Sequence, residues 1–187
     1  MSKSILVRLF IVMLLTACHS KKKNDSVAHM NFNVTDSLLG DVINDTTRNF
    51  YLKAPKYFDK ISISQEQQDK INNAGLKLLY SSQNKSNGAA FVVLDLNKLS
   101  DSLFLKYHSL LKSSLENNKK FKKVGIDSFY SNKIFFIQYF ALSDSTVNLK
   151  LLTSNYLKGR YEIDFSIPSS VYNNQSRTVE SVLGSIK

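Results

Sequence analysis

A chain of 187 residues with one cysteine, two prolines and a formal charge of +10 has room for one domain and cannot form an internal disulfide. Its three histidines and single cysteine show no zinc-ligand spacing, and its six scattered glycines form no phosphate-cradling loop. No His-Glu-x-x-His and no G-x-S-x-G nucleophile elbow occurs, so no metal, no cofactor and no catalytic residue is expected.

The first segment carries Lys3 and Arg8 and no acid. It continues into Leu9-Phe10-Ile11-Val12-Met13-Leu14-Leu15. That run is too short to cross a bilayer, which takes about 20 apolar residues. A basic start, a short apolar core and small residues after it describe a secretory signal. Leu15-Thr16-Ala17-Cys18 then resembles the lipobox of bacterial lipoproteins: an aliphatic residue, two small residues, cysteine. The resemblance implies that residues 1–17 are a signal peptide and that Cys18 is lipidated, with membrane lipid its first partner. Two or more acyl chains make such anchoring durable, because each buried methylene adds about 0.8 kcal/mol. His19 and Ser20 follow, with no Asp after the cysteine. By the same resemblance this implies the outer membrane, facing the periplasm.

From Cys18 to Thr47 the chain is polar and without sustained period, and it is expected to be a flexible tether over 18–47. Lys21-Lys22-Lys23 stand next to the anchor, where basic residues favour anionic headgroups. Asp36 to Ile43 reads as a short turn or docking patch within the tether. The remainder, 48–187, is expected to be a single globular domain.

Within it, Asn49 to Ala54 reads as a strand stopped by Pro55. A short polar helix is expected over 64–74, ending near Gly75. Strands over 76–81 and 89–96 flank the hairpin loop Gln83 to Gly88. Phe91-Val92-Val93-Leu94 is apolar on both faces and reads as an interior strand. Ser100 is a plausible N-cap for a long helix whose apolar positions are Leu103, Phe104, Tyr107, Leu110, Leu111 and Leu115. Three strands follow, around 124–130, 133–142 and 146–156. In the last strand Tyr161, Ile163, Phe165 and Ile167 alternate with Arg160, Glu162, Asp164 and Ser166, which places the polar set outside. A final helix is expected from Ser169 or Ser170, with Tyr172, Val179, Val182, Leu183 and Ile186 as its apolar face. The fold class is therefore α+β: a mainly antiparallel sheet flanked by helices on both faces, because two-faced strands need cover on both sides.

This order resembles the PsbP-like α/β/α sandwich. The residues that carry the likeness are Phe50-Tyr51-Leu52-Lys53-Ala54-Pro55, the helix from Leu99 after a strand ending in Asp95-Leu96, and Tyr161 to Pro168 followed by a helix ending Val182-Leu183-Gly184-Ser185-Ile186. Two departures stand out. No Trp occurs near the first strand, and the helix at 64–74 is long for that family. The resemblance implies an assembly factor, chaperone or accessory subunit.

Among chemical candidates, His19 and His29 fall in the tether and His108 on the expected exposed flank of the long helix. Glu162 and Asp164 share one face of a strand. Paired carboxylates can do acid–base work, but with Arg160 beside them they read as a charged outer stripe. Lys119, Lys120, Lys122 and Lys123 follow the long helix. They suit its C-terminal dipole, and they fit either a solubilising surface or a site for an anionic partner. The expectation is a non-catalytic accessory, assembly or binding factor for another envelope protein, with no nucleic-acid partner. The alternatives are a module for anionic lipid or glycan using these lysines, and an enzyme built on Glu162 and Asp164.

Overall fold

The computed structural model describes residues 27–154 and 159–187. The expected signal segment 1–17, Cys18 and Lys21 to Lys23 lie outside the described residues, as do positions 155–156. The elements in chain order are β1 (Ala28–His29), a 3-10 turn (Asp36–Leu38), β2 (Leu39–Asp45), β3 (Phe50–Pro55), β4 (Asp59–Lys60), α1 (Gln65–Asn73), β5 (Lys77–Gln83), β6 (Ala90–Asp95), α2 (Asp101–Glu116), β7 (Lys123–Ser131), β8 (Ile134–Leu142), β9 (Thr146–Thr153), β10 (Tyr161–Pro168) and α3 (Tyr172–Gly184).

Eight strands form one sheet in the order β1-β7-β8-β9-β10-β6-β5-β4, and β2 and β3 pair as a separate hairpin. Every pairing in the large sheet is antiparallel except β1 on β7. Alternation sorts the strand residues onto two faces. Phe91, Val93, Phe136, Leu151, Ile163 and Phe165 pack beneath the β2–β3 hairpin and α3, against Phe50, Leu52, Val182 and Leu183. Leu94, Tyr139 and Leu152 pack on the opposite face beneath Phe104 of α2, with Ile71 of α1 at the margin. Helices thus cover both faces of a mainly antiparallel sheet, as the sequence implies.

The helix starts follow local chemistry. Ser64 and Gln67 make a reciprocal capping box for α1, and the Ser100 hydroxyl accepts from Leu103 N at 3.4 Å at the start of α2. The last helix departs from expectation. It begins at Tyr172 after Val171, which has no capping side chain, and the Ser169 hydroxyl instead donates to Ser143 O at 3.3 Å in the β8–β9 turn.

Two further expectations are corrected. Leu103 and Leu110 of α2 are 50% and 59% exposed, as is Leu105 at 63%. Phe104, Tyr107, Leu111 and Leu115 already fill the strip facing the sheet, and a helix lying on a sheet buries only one such strip.

The expected tether is also shorter than 18–47. β2 pairs with β3, and Leu39 and Ile43 enter the core. β1 pairs with β7, Met30 and Phe32 pack on the core, and Thr35 N donates to Ser181 Oγ at 3.1 Å. A local window misses this because the hairpin is covered on one side only. It needs two buried residues out of seven in β2, and their partners lie far away in sequence.

Candidate functional site

The last strand places Glu162 and Asp164 on the α2 face of the sheet. Register brings three strands together there: Tyr139 of β8 lies opposite Lys150 of β9, and Lys150 lies opposite Asp164 of β10. Glu162 stands one step along β10, opposite Leu152 and Leu94, both of which are apolar and covered. The pair is therefore not an outer stripe. Glu162 is only 1% exposed. α2 roofs the face, and wherever it does so polar side chains on that face are buried with the apolar ones.

Burial of two carboxylates without partners would be prohibitive. Lys150 supplies the partner, donating from Nζ to Glu162 Oε1 and to Asp164 Oδ2 at 2.5 Å. From the roof, the Tyr107 hydroxyl donates to Glu162 Oε2 at 2.5 Å. Both Glu162 oxygens are thus occupied, whereas Asp164 Oδ1 is buried with no hydrogen-bond partner. His108 Nδ1 and the Tyr139 hydroxyl hydrogen-bond to one another beside the cluster, so His108 is half-buried rather than exposed. Arg160 leaves the carboxylates altogether. Its guanidinium donates to Leu99 O at 3.0 Å, pairs with Asp101 and lies 4.7 Å over the Phe104 ring, holding the start of α2 on the sheet.

The electrostatics follow from this packing. Burial, reinforced by the Glu162 carboxylate, pushes Asp164 up to about 8 against the pull of Lys150. Burial works against the Lys150 ammonium, but Asp164 and Glu162 outweigh it and hold the lysine above its ordinary range. Burial and Glu162 push the Tyr107 and Tyr139 phenols upward. The cluster stores charge and can hold a proton on Asp164 near neutral pH. It lines neither of two surface clefts, which border the β2–β3 hairpin instead: one at Asp41, Asn44, Lys60 and Tyr80, the other at Asp36, Tyr51, Lys53 and Lys187.

Lys150, Tyr107 and Tyr139 are the site residues that motif reasoning passes over. The local signal was partial: β6 is apolar on both faces and so is covered on both, but that its Leu94 pairs with Glu162 is set by strand order, which the tertiary structure alone supplies.

The lysines after α2 stand apart from this cluster. Lys119 and Lys120 are exposed in the turn, Lys122 is exposed and pairs with Asp144 of the β8–β9 turn, and Lys123 opens β7 half-buried. Among the described residues, no group of His, Cys, Asp or Glu is placed to hold a metal ion, and no helix is long and apolar enough to cross a membrane.

These features define an α+β sandwich with a carboxylate–lysine cluster roofed by one helix. Among solved structures, the solution structure of cyanobacterial PsbP (CyanoP) from Synechocystis sp. PCC 6803 is similar to this chain. The TM-score is 0.43 and the identity 9%, over 91% of this chain and 98% of that one. No family model matches the chain, and no curated protein matches it. The sandwich itself stands on the strand pairing described above.

Proposed function

We propose that this chain is a lipid-anchored envelope protein, held in the outer membrane on its periplasmic side, that binds another envelope protein as a non-catalytic accessory or assembly factor. The anchor half of this reading rests on Leu15-Thr16-Ala17-Cys18 behind a basic start and a short apolar run.

The observation that carries the binding half lies on α2. Leu103 and Leu110, two turns apart on one strip, and Leu105 across the outer face are each at least half exposed, although the inner strip of the helix is already filled. A helix with leucines to spare on its outer side offers a partner an apolar contact. Glu162 favours binding over acid–base chemistry, because both its oxygens are committed to Lys150 and Tyr107.

The test is a crosslinked pull-down from membranes with the full-length protein, beside Cys18→Ser and Leu110→Asp variants. One reproducible envelope partner, weakened by either substitution, is the expected result. No partner with the unaltered protein would defeat the accessory-factor reading.

A further inference from the structure

The two margins of the β2–β3 hairpin end differently. On the β3 side Tyr51 exchanges both backbone hydrogen bonds with Lys187, at 3.2 and 3.0 Å, and Lys53 N donates to Ser185 Oγ at 3.0 Å. Tyr51 and Lys53 therefore turn their main-chain groups away from β2, and the alternate residues Phe50 and Leu52 turn theirs toward it. The partners of Phe50 and Leu52 in register are Asp45 and Ile43. Val42 and Asn44 are left with N–H and C=O directed outward, about 7 Å apart along the strand. Among the described residues no hydrogen bond reaches these four groups.

This margin is long and open. The large sheet ends in strands of two residues, β1 and β4. β2 has seven, with neither the proline nor the lysine that commonly protects an edge, and its one register shift lies before Val42, which is exposed. Beside it runs a cleft of about 400 Å³, lined by residues 41–44 of β2 on one side and by Lys60, Leu79 and Tyr80 on the other. The Lys60 ammonium lies 5.8 Å over the Tyr80 ring. The acids nearest in the fold are engaged elsewhere: Asp41 accepts from the Tyr80 hydroxyl at 3.1 Å, and Asp59 pairs with Lys85 at 3.1 Å. Among the described residues Lys60 has no ion pair.

We propose that β2 takes up an extended segment of a partner protein as a third strand of the hairpin sheet, with one acidic side chain of that segment against Lys60. Main-chain pairing supplies the attachment, and side chains that enter the adjoining cleft supply selectivity. An acidic residue fits because Lys60 is the uncommitted charge of the cleft and the chain as a whole carries +10. The surface belongs to the sheet face opposite α2. It goes beyond the helix contact proposed above and does not depend on the anchor.

The test reads amide exchange residue by residue in the full-length chain held in detergent. Without ligand, Ile43 and Asp45 should be protected while Val42 and Asn44 exchange freely. The probe is the end-capped peptide Thr-Val-Thr-Glu-Thr-Val-Thr, which at saturation should slow Val42 and Asn44 about tenfold or more. Val42→Pro removes one outward N–H but no bond to β3, and should abolish the slowing at Asn44. Val42→Thr keeps that N–H and should retain it. Lys60→Glu should weaken the glutamate peptide and favour one with lysine in its place. Leu110→Asp, on the other face, should change none of this, and far-UV circular dichroism verifies that each variant is folded.

Protection of Val42 and Asn44 in the isolated protein would show the margin already filled and overturn the proposal. So would no slowing with saturating peptide, or slowing that Val42→Pro leaves intact. Slowing that is indifferent to Lys60→Glu overturns the acidic specificity.

Discussion

Glu162 and Asp164 share one lysine, so three ionised groups would leave an uncompensated negative charge under α2. Asp164 is where that imbalance is relieved, since its Oδ1 has no partner and burial holds it protonated up to about pH 8. The sign of the linkage follows. Between the ordinary Asp value of 3.8 and about 8 the folded chain binds a proton there that the unfolded chain does not, so stability falls as pH rises through this window. Lys150 does not counter the trend, because its raised value keeps it charged in both states throughout. Asp164→Asn leaves Lys150 paired with Glu162 alone. We expect the variant to lose the decline in melting temperature between pH 5 and pH 8, and to match or exceed the unaltered chain at pH 8. Thermal melts followed by circular dichroism at the two pH values check this. A wild-type melting temperature that rises over the window would contradict the assignment.

Among the elements, the end of α3 shows why residues 30–35 belong to the fold. A β-carbon built on Gly184 would stand 2.7 Å from Val34 Cγ2 and 3.0 Å from the Phe32 carbonyl oxygen. Only glycine lets that backbone approach so closely. The same segment donates from Asn33 N to Glu180 Oε1 at 3.1 Å, and the Phe32 ring sits edge-on to Phe129 with centroids 5.7 Å apart. This makes Gly184→Ala a test with two opposite signs. Were residues 32–34 a loose tether, alanine would stabilise α3 by up to about 1 kcal/mol. With the segment packed as described, overpacking costs about 1–3 kcal/mol. We expect a net loss, read as a lower urea midpoint with an unchanged slope.

At the scale of the molecule, the β2–β3 hairpin closes one side of the core. Phe50 stacks on Tyr161 with ring centroids 3.7 Å apart, and the Tyr161 hydroxyl donates to Asp45 at 2.7 Å. Leu39 and Ile43 are 7% and 5% exposed, and burying each contributes about 1.5–3 kcal/mol. A chain begun at residue 48, where composition changes, discards both residues and opens the edge of β3. A domain's total stability is about 5–15 kcal/mol, so the loss is a large share of the whole. We expect a chain begun at residue 27 to melt cooperatively, and one begun at 48 to melt far lower or without a sharp transition. Equal melting temperatures would show that the hairpin contributes nothing.

Much of the architecture was legible in local patterns. Ser100 before a 3.6-residue period marked α2, and Phe91 to Leu94 marked a strand covered on both sides, because capping and periodicity are properties of neighbours along the chain. What the sequence determined by itself was therefore the order and kind of most elements from β3 onward and the α+β class. Only the tertiary structure decided which polar residues are buried and that the fold already includes β1 and β2. Glu162 looks solvated until α2 is laid over it, and Leu39 and Ile43 look too sparse for a core until β3 is beside them. Burial and pairing arise from contacts between residues distant in sequence, which no local window contains.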